Sequence, residues 1–519
     1  MVSLADAYLA GDEVVRAFFA QAPEDLFVQT PRARPWGKEL TEAIRVYNER
    51  LGLACCFAGD EAVVLTGQQP GIFTGPLYTI YKAITAIKAA GELAERTGKP
   101  VVPMFWIGSE DHDFAEANTT CVLTKQHRPL RLTYEPAASV AGLPMYRVPL
   151  ETQLHELCDT LADAAPGSEW TDAVRRVLHE TADAAVSLAD WTAHLLARLF
   201  RDTPLVLFAP HMLAAREAAA PIMRAVLADP LAATRLVNEA GSRIEAAGYS
   251  PQITKADDEC PFFVEMGGRR RKVLYQDGQF FLPEENMYCP GDALEMLLNT
   301  APERFSPNVA LRCIVQQRLF PAAAYVAGPG EIAYWAQLKP LFRNFGEDMP
   351  LVYPRLRVRL TDIKLNKLRT KLCLREADLV APEEHVVQGV LKHVAKNPAL
   401  EVIEEHRNAL MGATEDFVNA MYAVENAPPE VKAGARRLQE GLGRELDKLA
   451  RGAARADEAQ VAAIRGQVRR VCAALAPYRK PQERVYCVFS YLFAQGWGLT
   501  PRLIDALDVH NFDVQEIEL

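Results

Sequence analysis

The sequence predicts an α/β protein: a doubly wound parallel sheet with connecting insertions, followed by a C-terminal α-helical coiled-coil arm. Three observations predict it. Short apolar, β-branched runs alternate with amphipathic helical stretches through residue 361. Two of these runs end in glycine-rich turns that open a helix. Beyond Asp362 the strand patterns vanish, and Lys, Arg, Glu, Ala and Leu dominate through Pro477.

In chain order, the segment to Gly59 reads as helical and amphipathic. The first strand starts near Val63 and ends at Gly67, and a helix follows over 77–96. Further strands are expected at 101–107, 205–208 and 322–327, with a weaker one at 351–353 and a helix over 214–227. Strand alternating with helix is the signature of a parallel sheet. Two insertions interrupt it. Residues 150–201 are helical by pattern, whereas 262–266, 272–275 and 279–282 alternate around Gly267-Gly268 and Asp277-Gly278 and read as β-hairpins. The expected division is core 1–149, helical insertion 150–203, core 204–250, β-hairpin insertion 251–304, second half of the core 305–361, helical arm 362–480, and a segment 481–519 returning to the core. That return is expected because 485–493 is too apolar to stay in solvent. In the arm, Val461, Ile464, Val468, Val471 and Leu475 form a coiled-coil seam, and Leu438, Leu442, Leu446 and Leu449 form a similar stripe. Pro428-Pro429 and 452–457 are expected to punctuate its helices. A protruding helical hairpin follows, on which an exposed stripe would need a partner chain.

Composition sets the outer bounds. A chain of 519 residues with 49% hydrophobic and 24% charged content is an ordinary globular protein, large enough for more than one core. Its formal charge of -10 gives no electrostatic reason to expect nucleic acid. No apolar run approaches a membrane span and the N-terminus lacks the plan of a signal peptide, so no membrane and a cytoplasmic location are expected. The 10 cysteines are scattered without a Cys-x-x-Cys pair, and are expected to be reduced and mostly buried. The adjacent Cys55 and Cys56 cannot easily supply two ligands to one tetrahedral zinc, and no metal site is expected.

Four motifs could carry chemistry. The turn after the first strand offers Gly67, Gln68, Gln69 and Gly75, and the helix it opens carries Tyr78, Tyr81 and Lys82. Free N–H groups there favour a carboxylate or phosphate, and short amides orient polar substrates. A strand-to-helix turn needs glycine whatever it binds, which is the structural alternative. The second motif, Glu110-Asp111-His112-Asp113, follows the second strand, where open α/β sheets bind ligands. Extended geometry puts Asp111 and Asp113 on one face, and three acids beside His112 would favour its protonated form. Helix capping by the acids is the alternative. The third motif, with Gly328, Gly330, Glu331 and Tyr334, repeats the strand, turn and helix of the first, so the two can face each other across a crevice. The fourth supplies Asn308 and Arg312, whose guanidinium suits a carboxylate or phosphate. Tyr491 and Trp497, in the aromatic tail, could stack on a nucleotide base, with core packing as the alternative.

Taken together, Thr66-Gly67-Gln68-Gln69, residues 74–80, residues 110–114, Ser306-Pro307-Asn308-Val309 and residues 328–334 resemble the cysteine ligases of bacillithiol biosynthesis. The likeness runs in order over most of the chain and is strongest over 63–337. It implies a Rossmann-type core with connecting insertions, a coiled-coil arm that makes a homodimer, and addition of cysteine to glucosaminyl-malate. A wider likeness is to class I aminoacyl-tRNA synthetases and related nucleotidyltransferases. Their His-x-Gly-His signature falls on Tyr78-Thr79-Ile80-Tyr81 here, and Lys364-Leu365-Asn366-Lys367 is a poor substitute for their Lys-Met-Ser-Lys-Ser loop.

The expected reaction joins the cysteine carboxyl to the glucosamine amine, the last step of bacillithiol biosynthesis. This condensation is uphill in water, so ATP or another activating nucleotide is expected, with Mg2+ the only metal in view. His112 or Asp111 would take the amine proton, with Glu110 and Asp113 beside them. The malyl carboxylates would rest at Gly75 and Gly330, aided by Arg312. Two other readings remain: a nucleotidyltransferase-like enzyme for another small anionic substrate, and a non-catalytic homodimeric binding protein.

Overall fold

A computed structural model of the chain describes residues 3–394 and 398–519. It contains two compact units: the chain through Leu360 together with Gln482–Ile517, and Thr361–Pro481.

The first unit is built on five parallel strands: β1 (Ala62–Gln68), β2 (Val101–Ile107), β3 (Val206–Phe208), β4 (Ala322–Ala327) and β5 (Leu351–Pro354). Their order is β5-β4-β1-β2-β3. The chain winds outward from β1 through β2 to β3, then crosses back to add β4 and β5 on the other side. The order therefore reverses between β1 and β4. All five strands are those read from the sequence.

Side chains alternate along β1 with the period of two that a pleated strand imposes. Val63 and Leu65 enter one core with Trp106, Phe208 and Ile222, while Val64 enters a second with Ala86, Ala90, Leu93 and Tyr353. The sheet is thus covered on both faces, the Rossmann-like arrangement. Helix α1 (Tyr78–Thr97) follows β1 and ends at Gly98, which takes the left-handed conformation common after a helix (φ 66°). Gly67 is required by close approach: a Cβ there would lie 2.8 Å from the Trp106 carbonyl oxygen on the paired strand.

The insertions follow the expected types. Gln153–Ala164, Thr171–Ala184 and Leu188–Leu199 are helices. Strands Glu259–Met266, Arg269–Gln276, Gln279–Leu282 and Met287–Cys289 form an antiparallel sheet with Phe305–Pro307 on its outer edge. A hairpin of Thr119–Leu123 and Pro129–Thr133 was not anticipated. The opening segment is less helical than its pattern suggests: Leu4–Leu9, Glu13–Arg16 and Lys38–Arg50 are α-helices, while Pro23, Pro31 and Pro35 keep much of the intervening chain irregular. The apolar tail packs into this unit, with Phe489, Leu492 and Phe493 fully buried. Of the ten cysteines only five are buried, and Cys56 and Cys373 are exposed.

In the second unit, Pro398–Ala423 packs against Pro429–Leu475 as a helical hairpin. Ile464, Val468, Val471 and Leu475 are buried, as a seam requires, whereas Leu438 and Leu449 are each 57% exposed. Pro429 starts the long helix, but the expected break at 452–457 does not occur. A lone interior glycine costs only about 1 kcal/mol relative to alanine, and Gly452 is flanked by good helix formers. Among the described residues, no helix is long and apolar enough to cross a membrane.

Candidate active site

At the carboxyl ends of β1 and β4, where the strand order reverses, lies a cleft of about 400 Å³ within the first unit. Lys82, one turn into α1, is buried with its ammonium under the end of β1. It donates to the Gly67 carbonyl (2.7 Å) and to Gln68 Oε1 (2.9 Å), and pairs with Glu331 Oε2 at 2.5 Å. Burial pulls the Lys82 pKa below its ordinary value, opposed by the Glu331 charge. Glu331 opens the helix after β4, Pro329–Trp335. Its carboxylate also accepts from the Gly328 N–H (2.8 Å) and the Tyr325 hydroxyl (2.8 Å). The two glycine turns therefore face each other, tied by an ion pair whose Lys82 end is buried and whose Glu331 end is partly exposed.

The remaining charge is mostly positive. Arg312 donates to the Tyr334 hydroxyl at 2.8 Å. Arg270 reaches in from the antiparallel sheet, lies 3.9 Å from the Phe263 ring centroid, and donates to Ser306 Oγ (2.8 Å) and the Pro307 carbonyl (2.5 Å). Burial pushes its pKa down to about 10, offset in part by Glu110 and Asp111. Arg355 is buried and grips Glu483 through both terminal nitrogens, at 3.0 and 2.6 Å. Its Nε has no hydrogen-bond partner and lies 3.8 Å from where a Cβ on Gly328 would project into the turn. Arg484 completes the lining.

The acidic motif does not continue β2 in extended form. The chain turns at Ser109–Glu110, so alternation no longer assigns faces. Glu110 goes inward to a buried ion pair with Arg216. Asp111 lines the cleft, accepts from Gln69 Nε2 at 2.5 Å, and caps the Asp113 N–H at 3.0 Å. Of the acids lining the cleft, it alone lacks an ion pair. His112 Nδ1 lies 3.3 Å from Arg270 and outside the lining, while Asp113 is exposed. The expected protonation of His112 is corrected: burial and the Arg270 charge lower its pKa, outweighing Asp111 and Asp113.

Thirteen expected residues line the cleft: Gly67, Gln68, Gln69, Tyr78, Lys82, Glu110, Asp111, Asn308, Arg312, Gly328, Gly330, Glu331 and Tyr334. Asn308 also caps the following helix, Val309–Leu319, accepting from the N–H groups of Ala310 and Leu311. Gly75 and Tyr81 lie outside the lining. Gly75 takes a left-handed φ of 70° in the turn, and the fully buried Tyr81 sits close to Tyr491 in the core. Trp497 lies under the Arg198 guanidinium, 4.5 Å from it, away from the cleft. Among the described residues, no group of three or more His, Cys, Asp and Glu side chains is arranged to hold a metal ion.

Two family models divide the chain between them. Residues 2–356 match the N-terminal Rossmann-like domain of bacillithiol biosynthesis BshC, and residues 358–519 match its C-terminal coiled-coil domain. The chain belongs to the BshC family. Relatives carrying the name "Putative cysteine ligase BshC" include proteins of Salinibacter ruber (34% identical, covering 86% of this chain and 80% of that one) and Desulforamulus reducens (30%, covering 91% and 88%). Another, from Prosthecochloris aestuarii, is 29% identical over 98% of this chain and 90% of its own length. A solved structure described as a "putative arginyl t-RNA synthetase" from Campylobacter jejuni aligns at 9% identity over 86% of this chain and 98% of that one, with a TM-score of 0.23, and carries no argument.

In BshC terms, every residue lining the cleft lies in the Rossmann-like match except Arg484, which lies in the coiled-coil match. Sequence reasoning missed Arg270, Arg355 and Arg484. Arg270 sits in the basic run Arg269-Arg270-Arg271-Lys272, whose alternation gives every second residue to one face of the sheet, but nothing local says which face meets the cleft. Arg355 directly follows β5, an end-of-strand position that was a usable signal. Arg484 had none.

Proposed function

We propose that this cleft joins the carboxyl group of L-cysteine to the glucosamine amine of glucosaminyl-malate, the last step of bacillithiol biosynthesis, making the protein an amide-forming ligase. The observation that carries the reading is the set of four arginines, Arg270, Arg312, Arg355 and Arg484, that line one cleft together with Asp111, in a chain of the BshC family. Guanidinium groups grip carboxylates in a bidentate fashion, and malate offers two of them.

In this reading Arg270, Arg312 and Arg484 hold the malyl end and leave the amine beside Asp111. A carboxylate within hydrogen-bond reach of an ammonium can take the proton that attack requires. Gln69 holds that carboxylate in place through its 2.5 Å hydrogen bond. Glu110, committed to Arg216, anchors the turn rather than moving a proton. Cysteine arrives with its carboxylate activated as an acyl-adenylate or acyl-phosphate, ATP being the proposed source. The unpartnered Nε of Arg355 fits an added anion. The exposed Leu438 and Leu449 support a homodimer formed through the arm, and the enzyme would act in the cytoplasm.

Calorimetric titration with glucosaminyl-malate and with a methyl glucosaminide lacking the malyl group tests the substrate assignment. The first should bind and the second should bind at least tenfold more weakly. Equal affinity would remove the role given to the arginines.

A further inference from the structure

The acidic turn and Arg270 come from distant parts of the chain, and one short strap, residues 142–147, is bonded to both. The Met145 N–H donates to the Asp111 carbonyl (2.8 Å) and the Tyr146 N–H to the Ser109 carbonyl (3.1 Å), while the Gly142 carbonyl accepts from the Arg270 N–H (2.8 Å). The Tyr146 ring stacks on His211 at 4.6 Å, and His211 Nδ1 lies 2.8 Å from Ser109 Oγ. Backbone and ring together therefore fix Tyr146 beside the turn that carries Asp111.

Its hydroxyl donates to Glu265 Oε2, and Arg147 pairs with Glu265 Oε1 at 2.5 Å. Burial and the Glu265 carboxylate push the Tyr146 pKa up to about 12, so the phenol keeps the hydrogen it donates. Glu265 is the register partner of Arg270 in the antiparallel sheet. Residues directly opposite in such a pair project from one face with Cβ atoms about 4.5–5.5 Å apart, where opposite charges attract. The Glu265 side chain is only 13% exposed, so water screens that attraction weakly. Even so, both of its oxygens turn to the strap. Arg270 meanwhile donates one N–H from each nitrogen, to Ser306, the Pro307 carbonyl and His112, which leaves the second N–H of each terminal nitrogen for a ligand in the cleft.

We propose that Tyr146 and Arg147 are positioning residues that hold the Glu265 carboxylate away from Arg270, so that this guanidinium stays open to a carboxylate of the substrate. The inference rests on the reading of Arg270 as part of the grip on the malyl end. A Glu265 released from the strap pairs with Arg270 across the sheet and competes with the substrate for it, since a guanidinium takes either carboxylate in the same bidentate geometry. The loss falls on binding, because Asp111 and its contact with Gln69 are untouched.

The test compares three full-length proteins: the wild type, Tyr146→Phe with Arg147→Met, and that pair with Glu265→Gln added. Phenylalanine keeps the ring on His211 and the backbone bonds of the strap, so all three should share one circular dichroism spectrum. In a crystal structure of the double variant, Glu265 should lie within about 4 Å of the Arg270 guanidinium. Its KM for glucosaminyl-malate should rise about tenfold with kcat little changed, and adding Glu265→Gln should bring KM back to within about twofold of the wild type. Tyr146→Phe alone, a milder change, should move KM in the same direction by a smaller factor. Glu265 remaining off Arg270 in the double variant, or a rise in KM that Glu265→Gln does not reverse, would overturn the proposal. Wild-type protein that fails to bind glucosaminyl-malate, alongside a double variant that shows the Glu265–Arg270 pair, would support the sequestration of Glu265 and overturn the substrate reading instead.

Discussion

Glu331, on the helix after β4, closes onto the buried Lys82, on the helix after β1, at 2.5 Å, and this pair joins the two halves of the Rossmann-like sheet at the point where their order reverses. Removing one partner of a buried pair leaves the other charge without compensation. Glu331→Gln should therefore destabilise the protein by about 3 kcal/mol, whereas Lys82→Met combined with Glu331→Gln should recover a large part of that loss. Denaturant unfolding of the single and double variants checks the coupling; simple additivity would show that the pair is not coupled.

Asp111 is assigned the proton transfer. Asp111→Asn keeps the side chain's size and its contact with Gln69, so it should lower kcat by about 100-fold or more with little change in affinity for glucosaminyl-malate. Steady-state rates with parallel binding titrations separate the two. His112→Asn should have a far smaller effect, because that ring turns to Arg270 and lies outside the lining.

Arg355 is positioned by Glu483, which arrives from the C-terminal return segment and also accepts from the Val358 N–H at 3.0 Å. Glu483→Gln should cost about 3 kcal/mol of stability and raise the KM for glucosaminyl-malate, since the guanidinium loses its anchor. Thermal unfolding and initial rates measure both effects.

A pH dependence of stability follows from His211. Its Nδ1 is 2.8 Å from Ser109 Oγ beneath the acidic turn, and its ring stacks on Tyr146 at 4.6 Å. Burial, with Arg216 nearby, pushes its pKa from 6.5 down to about 4. Between those values the unfolded chain binds more protons than the native one, so stability falls as pH drops through this window, by up to about 3 kcal/mol from this group. In His211→Gln the slope over that range should flatten, as unfolding curves at a series of pH values would show.

The arm carries the oligomerisation claim. Leu438→Glu with Leu449→Glu alters two exposed side chains, leaves the seam at Val468 and Val471 intact, and should convert a dimer to a folded monomer. Sedimentation velocity gives the answer directly.

The sheet was legible because each strand is a short apolar run bounded by turn residues, and the period of two in β1 maps directly onto its two cores. The glycine turns were legible because Gly67 must clear Trp106. What failed was orientation within irregular chain. Glu110, Asp111 and His112 are adjacent in sequence but point to Arg216, Gln69 and Arg270, partners 42 or more residues away. Such partners are chosen by tertiary packing, which no local pattern encodes. The same holds for Arg484, which reaches the cleft only because the tail folds back. Gly452 misled in the opposite sense, since a single glycine is too weak to stop a 47-residue helix.

The most direct test of the central claim is mass spectrometry of the purified protein incubated with cysteine and glucosaminyl-malate, with and without ATP and Mg2+. The account predicts the condensed thiol only when ATP is present, together with AMP for an acyl-adenylate or ADP for an acyl-phosphate. No condensed product under any of these conditions, from protein shown to bind glucosaminyl-malate, would contradict it.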